Sequence, residues 1–374
     1  MMRRGLLALA ATALVACGAT ASASPPPVDA PAFIVRGGPD AVVLAARAPD
    51  APRSPASITK LMTVLVALEH ARLDDVVTVT PQAAGVGEST VGLKPGDRLT
   101  VRDLAIAALV PSANDAATAL AVHVGRGSVT RFVAMMNLKA QSLGLTSTHF
   151  ENPHGLDQTG HLSSARDLAT LLSAALRTSF IRTWSARSTA TIAGGRFLTS
   201  TDQLIGKLPL LGAKTGHTDA AGWSQVAAVE RGGVRITASL LGARSEEQRN
   251  AELTSLLSWG LAQYHPVRAI DAARVYGVAE TGYGRPPVEL KAARTVVRNV
   301  RVDRPLVERI VASSSLVLPV ASGQRAGEVR IFAGGRLIAR APLVAADDVP
   351  AVGTTGRIGW YARRTAHHFF GLVS

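Results

Sequence analysis

Near residue 268 the hydrophobic pattern of this 374-residue chain changes period. Before it, apolar residues recur at helical spacing through Leu61, Val64, Leu65 and Leu68, again from Leu99 to Val110, and again behind Asn114. After it, the runs are short and Val-rich, at 295–302, 316–320 and 328–333. The last of these meets 336–344 across Gly334-Gly335, a two-residue hairpin signal. One core cannot follow both patterns, and the length suits two domains. The chain therefore divides into a larger mixed part and a small all-β part.

The larger part combines helices with hairpins. Residues 33–36 and 41–46 flank Gly37-Gly38-Pro39-Asp40, and 224–229 and 234–241 flank Gly232-Gly233. Ser128 reads as a helix N-cap, and Ser164-Ala165-Arg166-Asp167 as a capping box. Glu252 to Leu261 reads as a closing helix. No regular βαβ alternation is present, so the expected class is α+β with an antiparallel sheet. The boundaries drawn from composition are 1–23 for a leader, 24–32 for a Pro-rich spacer, 33–265 and 266–349 for the two domains, and 350–374 for a linker and terminal helix.

The leader is read from Arg3 and Arg4 before an apolar run from Gly5 to Ala16, too short to span a bilayer. Its end has two readings. Leu14-Val15-Ala16-Cys17 looks like a lipobox, in which Cys17 becomes the lipidated N-terminus. Ala21-Ser22-Ala23 fits ordinary signal cleavage. Either places the protein in a bacterial cell envelope, outside the cytoplasm. Cys17 is the only cysteine, so no intramolecular disulfide forms. The formal net charge is +13, which suits an anionic partner. Nucleic acid is not the expected one, because no zinc-finger spacing or RNP-type motif appears. Residues 268–374 carry a net +8 of that charge.

The last segment, Arg357 to Ser374, is amphipathic at 100° per residue. Ile358, Tyr361, Ala362, Phe369, Phe370, Leu372 and Val373 share one side. Arg363, Arg364, His367 and His368 share the other, and Trp360 is the misfit. A basic amphipathic helix either lies in a membrane surface or packs on its own β part, and the terminal position after a linker favours the membrane.

Three short motifs carry the chemistry: Ser57-Ile58-Thr59-Lys60, Ser112-Ala113-Asn114 and Lys214-Thr215-Gly216. A lone Ser-x-x-Lys recurs by chance, whereas the ordered set does not. On a helix Ser57 and Lys60 share a face, so the amine can take the hydroxyl proton. That requires a lysine pKa lowered by burial or by a second cation, for which Lys214 is the candidate. Ser112 stands as a relay beside Lys60, and Asn114 as a holder of a substrate amide. Lys214-Thr215-Gly216-His217-Thr218 precedes a strand, with Lys214 and the hydroxyls suited to a carboxylate. Gly216 would permit close approach of a peptide adding along a sheet edge. His217 alone has no carboxylate partner legible in the sequence. No cluster at metal-ligand spacing stands in the chain, so neither metal nor other cofactor is expected.

The chain resembles the low-molecular-mass penicillin-binding proteins that act as D-alanyl-D-alanine carboxypeptidases, serine peptidase family S11. The resemblance rests on Pro55–Thr63, Leu93-Lys94-Pro95-Gly96, Ser112–Ala116, His154-Gly155-Leu156-Asp157, Ser163–Asp167 and Lys214–Thr218, and runs from about residue 30 to the C-terminus. It implies a DD-peptidase/β-lactamase-like domain, with an antiparallel sheet flanked by helices, and a small β-sandwich-like domain. It implies Ser57 as acylated nucleophile, Lys60 as its base, and Ser112, Asn114 and Lys214 completing the cleft. Backbone N–H groups of Ser57 and His217 would form the oxyanion hole, with Thr215 and Thr218 along the substrate strand. Arg249 would meet the terminal carboxylate, while His154 and Asp157 would shape the cleft edge. The implied partners are a peptidoglycan stem peptide, β-lactam antibiotics and a membrane surface. A D,D-endopeptidase, a class A-like β-lactamase or a non-catalytic envelope-binding protein are the alternatives. The departures are Ala113, where glycine or aspartate is commoner, and Cys17.

Overall fold

The two Gly-Gly signals become tight hairpins, and they organise both sheets. Gly232 and Gly233 have φ of 57° and 76°, and Gly334 and Gly335 have φ of 56° and 83°. A turn with two consecutive positive φ values matches the twist of the strands it joins, and glycine enters it without strain. The computed structural model describes residues 8–15 and 24–370, in two units.

The first unit spans Ser24–Ala262. Its sheet contains β1 (Ala32–Gly37), β2 (Val42–Arg47), β3 (Leu210–Thr218), β4 (Gly222–Arg231) and β5 (Val234–Ala243). The order is β2-β1-β5-β4-β3 and every pairing is antiparallel, so the α+β expectation holds. The principal helices are α1 (Lys60–His70), α2 (Val101–Leu109), α3 (Asn114–Val124), α4 (Val129–Ser142), α5 (Ala165–Ala175) and α6 (Glu246–Ala262). Both α5 and α6 pack on β1, β4 and β5. The near-continuous burial of those strands means that both sheet faces are covered.

Helix α1 is buried from Lys60 through Ala67, and α3 from Asn114 through Val122. Aromatics make up only 4% of the chain, and alanine takes their place: Ala116, Ala117, Ala119 and Ala121 let α3 approach α1 and α2 closely. Thr100 and Asp103 form a full capping box for α2, and Ser128 caps α4. Ser164 caps α5 as expected. The Asp167 carboxylate, however, does not close a capping box. It accepts from Ser147 N at 2.8 Å and Thr148 Oγ1 at 2.7 Å, tying the neighbouring loop to the helix start.

The segment read as a spacer is built in from Val28 onward. Val28 and Ala30 are buried, and the Asp29 and Ala30 amides donate to Glu252 on α6. Three prolines signal an extended backbone, but they say nothing of the apolar residues that follow.

The second unit holds a six-stranded sheet in the order Ala8–Val15, Leu306–Ser313, Arg325–Ala333, Arg336–Ala345, Val288–Ala292, Val275–Ala279. A separate pair joins Tyr264–Ile270 to Val296–Arg301. The apolar run read as a leader core thus occupies an edge of this sheet at Ala8–Val15. Cys17 and the cleavage points around Ala23 lie outside the described residues. The strand expected at 316–320 is not one. Val317 is 86% exposed, and the strand lies earlier, at Leu306–Ser313. Charges at Glu308 and Arg309 hid it. Glu308 is buried on this strand because Arg274 holds both its oxygens at 2.9 Å. The terminal helix α7 (Thr354–Phe370) is present. Trp360, the misfit on the wheel, packs edge-on against Tyr283 at 5.6 Å, with Arg357 over the same ring.

Candidate active site

The nucleophile candidate stands on a turn forced into place from two sides. Ala56–Thr59 is a single 3-10 turn leading into α1, and Ala56 has φ +47°, a left-handed conformation that costs an alanine energy. Gly155 (φ +94°) lies directly beneath: a Cβ there would sit 2.0 Å from Ala56 O and 2.9 Å from Ser57 N. Gly216 closes the other side, where a Cβ would lie 3.0 Å from Ala56 Cβ and 3.1 Å from Pro55 O. The glycine of the third motif therefore lets its own strand approach the Ser57 turn. This replaces the expectation that it makes room for a substrate backbone.

Lys60 Nζ lies 2.6 Å from Ser57 Oγ and 2.7 Å from the His154 carbonyl oxygen. It is fully buried. Burial, and then the nearby Lys214 charge, push its amine well below the ordinary lysine range, with Glu88 and Asp115 pulling the other way. The loop supplying the His154 carbonyl is locked in turn. Asn152 accepts from Gly155 N at 2.7 Å and donates to Leu156 O at 2.9 Å, and Thr63 Oγ1 on α1 donates to Pro153 O at 2.6 Å. The His154 ring is itself held neutral, at about 3, by burial, Lys60 and His161. So the loop expected only to shape the cleft also orients the lysine.

Ser112 sits in the break between α2 and α3 with φ +68°. Its Oγ accepts from Lys214 Nζ at 2.8 Å, and that amine also donates to Thr215 O at 3.0 Å. Lys214 is 2% exposed. Burial lowers its amine to about 7, against the attraction of Asp202 and with the help of Arg249. Asp202, buried beside Gln225, is held by Gln225 Nε2 at 2.8 Å and Leu204 N at 2.9 Å. Asn114 opens α3. Its Nδ2 donates to Gly87 O at 3.0 Å, while its buried Oδ1 has no partner among the described residues. An orphaned buried acceptor is a ready seat for a ligand N–H. Asp115 accepts from Val91 N and Leu93 N and so fixes the loop over this turn.

Lys214 to Thr218 lie within β3 rather than before it, and β3 is an edge strand. Ala213 N points away from β4, donating to Ser185 O at 3.0 Å. Backbone direction alternates along a strand, so the N–H groups of Thr215 and His217 also face the open edge. The His217 ring stacks on Trp223 at 4.2 Å, and the Arg249 guanidinium lies over the Trp223 ring, 5.6 Å from its centroid. Arg249 is buried and donates to Glu246 and Asn250. Thr215 Oγ1 meets Thr201 Oγ1 at 2.8 Å. Asp157 accepts from Ser54 Oγ at 2.8 Å and Thr218 Oγ1 at 2.7 Å, joining β3 to the segment before Ser57.

The structure thus gathers Ser57, Lys60, Ser112, Asn114 and Lys214 beside the open edge of β3, with Thr218 and Asp157 at one end. Gly155, Asn152, Asp202 and Trp223 were missed as site residues. For Gly155 a signal existed, a glycine inside a motif, but its neighbour is 99 positions away in sequence. Among the described residues no group of His, Cys, Asp and Glu could hold a metal.

Comparison with known proteins agrees with this geometry. The peptidase S11 family, D-alanyl-D-alanine carboxypeptidase, matches residues 19–245. The chain is 33% identical over 372 residues to the D-alanyl-D-alanine carboxypeptidase DacD of Salmonella typhimurium, covering 95% of each chain. Penicillin binding protein 5 from Haemophilus influenzae superposes with a TM-score of 0.63 at 28% identity, covering 88% of this chain and all of that one. The DD-transpeptidase of Streptomyces K15 superposes at 0.61 with 31% identity, covering 64% of this chain. The chain belongs to the S11 family of D-alanyl-D-alanine carboxypeptidases.

Proposed function

We propose that this protein removes the terminal D-alanine from peptidoglycan stem pentapeptides through an acyl-Ser57 intermediate. The observation that carries the reading is the 2.6 Å contact between Ser57 Oγ and a buried Lys60, whose amine burial pushes well below the ordinary lysine range. Lys60 takes the hydroxyl proton as Ser57 Oγ attacks the carbonyl between the last two residues. The developing oxyanion lies against the N–H groups of Ser57 and His217. Lys214 keeps its proton more readily than Lys60 because Asp202 attracts it. Through Ser112 it supplies a proton to the departing amine of D-alanine. Asn114 Oδ1 accepts the amide N–H on the acyl side, and the substrate carboxylate rests near Lys214 and Thr215. Arg249, whose charge reaches Lys214, adds positive potential at that end. Once Lys60 has released the captured proton to solvent and Lys214 has regained one, Lys60 takes a proton from water as that water attacks the ester, and returns it to Ser57 Oγ as the acyl group leaves.

A β-lactam presents its strained amide to the same hydroxyl, so penicillins acylate Ser57. We further propose that the chain is exported by its N-terminal leader and held at a membrane surface by α7. Ile358 and Tyr361 support this, being 69% and 56% exposed on a helix whose other side is basic. Among the described residues no helix is long and apolar enough to cross a membrane. Two assays test these readings. D-alanine should be released from a stem pentapeptide much faster than nitrocefin is hydrolysed, and the reverse order would mark a β-lactamase. The full chain should pellet with anionic vesicles, and a chain ending at Pro350 that pellets equally would exclude α7.

A further inference from the structure

We infer that Arg53 anchors a second substrate carboxylate, one carried on the acyl side of the scissile bond. The inference rests on the substrate orientation proposed above. With the terminal carboxylate near Lys214 and the scissile carbonyl oxygen at His217 N–H, the peptide runs along β3 in a fixed direction. Its acyl side must pass Thr218 and reach Ala220. A cavity of about 620 Å³ opens there, lined by Arg53, Ser54, Asp157, Gln158, His161 and Ala220 among others.

The charges in this cavity are not equivalent. Asp157 is fully engaged: Ser54 Oγ, Thr218 Oγ1 and Ala220 N all donate to it. Despite partial burial, these bonds hold its carboxyl below the usual carboxylate range. His161 accepts from Glu151 N through Nδ1 and meets Thr59 Oγ1 at 2.9 Å through Nε2, which leaves no ring nitrogen for a ligand. Arg53 is different. Its main chain is fixed by a reciprocal pair with Ser163, at 2.7 and 2.9 Å. Its guanidinium lies over Gly242, where a Cβ would come within 3.0 Å of Nη2. The side chain makes no hydrogen bond or ion pair with the described residues. A positioned, half-buried guanidinium with free donors takes a carboxylate, and can take it in two parallel bonds.

Two parts of a stem peptide can present that carboxylate. One is the end of the side chain next to the terminal pair, and the other is the α-carboxylate of a γ-linked glutamate one residue further back. The test measures kcat/KM on two substrate pairs with the full chain. The first pair is Nα-acetyl-Nε-succinyl-Lys-D-Ala-D-Ala against the Nα,Nε-diacetyl peptide. The second is acetyl-γ-D-Glu-Lys(Nε-acetyl)-D-Ala-D-Ala against its isoglutamine amide. In one pair the carboxylate should raise kcat/KM about five- to tenfold, the size of a charge-assisted hydrogen bond. The pair that responds identifies the source. In Arg53→Gln the ratio within that pair should fall to near one, and in Arg53→Lys it should be partly kept. Because each ratio is taken within one variant, a general loss of activity does not disturb it, and benzylpenicillin acylation reports folding. Ratios near one for the unsubstituted protein in both pairs, or a ratio that survives Arg53→Gln, would overturn the inference. No D-alanine release from any of the four peptides would instead overturn the function proposed above.

Discussion

The two cleft lysines sit in different balances of charge, and in the proposed mechanism that difference separates their roles. Lys60 bonds to neutral groups, the Ser57 hydroxyl and the His154 carbonyl, and the Lys214 cation acts on it more strongly than either Glu88 or Asp115. Lys214 is equally buried, but the Asp202 carboxylate acts on it more strongly than the Arg249 cation does. Removing an ammonium from water without a counter-ion favours the neutral amine, whereas a nearby carboxylate restores part of the charged form. In the proposed mechanism one residue type thus serves as base on one side of the cleft and as proton source on the other.

The largest expected effect tests the Lys60 side. Lys60→Met should slow benzylpenicillin acylation about 10³- to 10⁴-fold, the range of a lost general base. Its melting temperature should not fall, since an apolar side chain replaces a buried amine. A stopped-flow or mass-shift assay reads the first and calorimetry the second. Next comes the turn that aims Ser57 at Lys60. Gly155→Ala places a Cβ 2.0 Å from Ala56 O at a φ that favours glycine. It should cost about 2 kcal/mol or more in stability and about 10²-fold in acylation by displacing the nucleophile. Acylation at the unsubstituted rate would show that the turn does not depend on Gly155.

The Lys214 side is tested by pH. Lys60 must be unprotonated and Lys214 protonated, so kcat/KM should fall as pH rises through about 7, where Lys214 loses its proton. Asp202→Asn removes the group that raises the Lys214 pKa. The alkaline limb should therefore move to lower pH, with activity at pH 8 reduced several-fold. An alkaline limb that stays in place would detach Lys214 from the proton path. The same shift has a stability consequence. A lysine whose folded pKa lies below its unfolded value leaves the unfolded chain with more protons between the two, so stability rises with pH from about 7 toward about 10.5. The smallest effect is a control: a chain ending at Pro350 should keep kcat/KM on a soluble pentapeptide within about twofold, because every bond around the two lysines lies in the first unit.

Much of this contrast was legible in the chain, but not all of it. The i, i+3 spacing of Ser57 and Lys60, the helix break at Pro111 before Ser112, and the hairpin glycines are local signals, and each survived in place. Asp202 was not legible, because a lone aspartate in a loop gives no hint that it faces Lys214. Gly155 and Gly216 were quoted inside motifs, yet their function depends on a turn 99 and 160 positions away. Leu306–Ser313 was hidden because its buried Glu308 reads as a surface charge until Arg274 is seen beside it. Local periodicity is written in neighbouring residues, whereas burial and charge pairing are written in the fold.

The claim on which the account rests is that Ser57 is acylated by way of Lys60. Intact-mass spectrometry after incubation with benzylpenicillin tests it most directly. One penicilloyl group should appear on the unsubstituted protein at pH 7, none on Ser57→Ala, and only a slow trace on Lys60→Met. An adduct on Ser57→Ala, or full and rapid labelling of Lys60→Met, would contradict it.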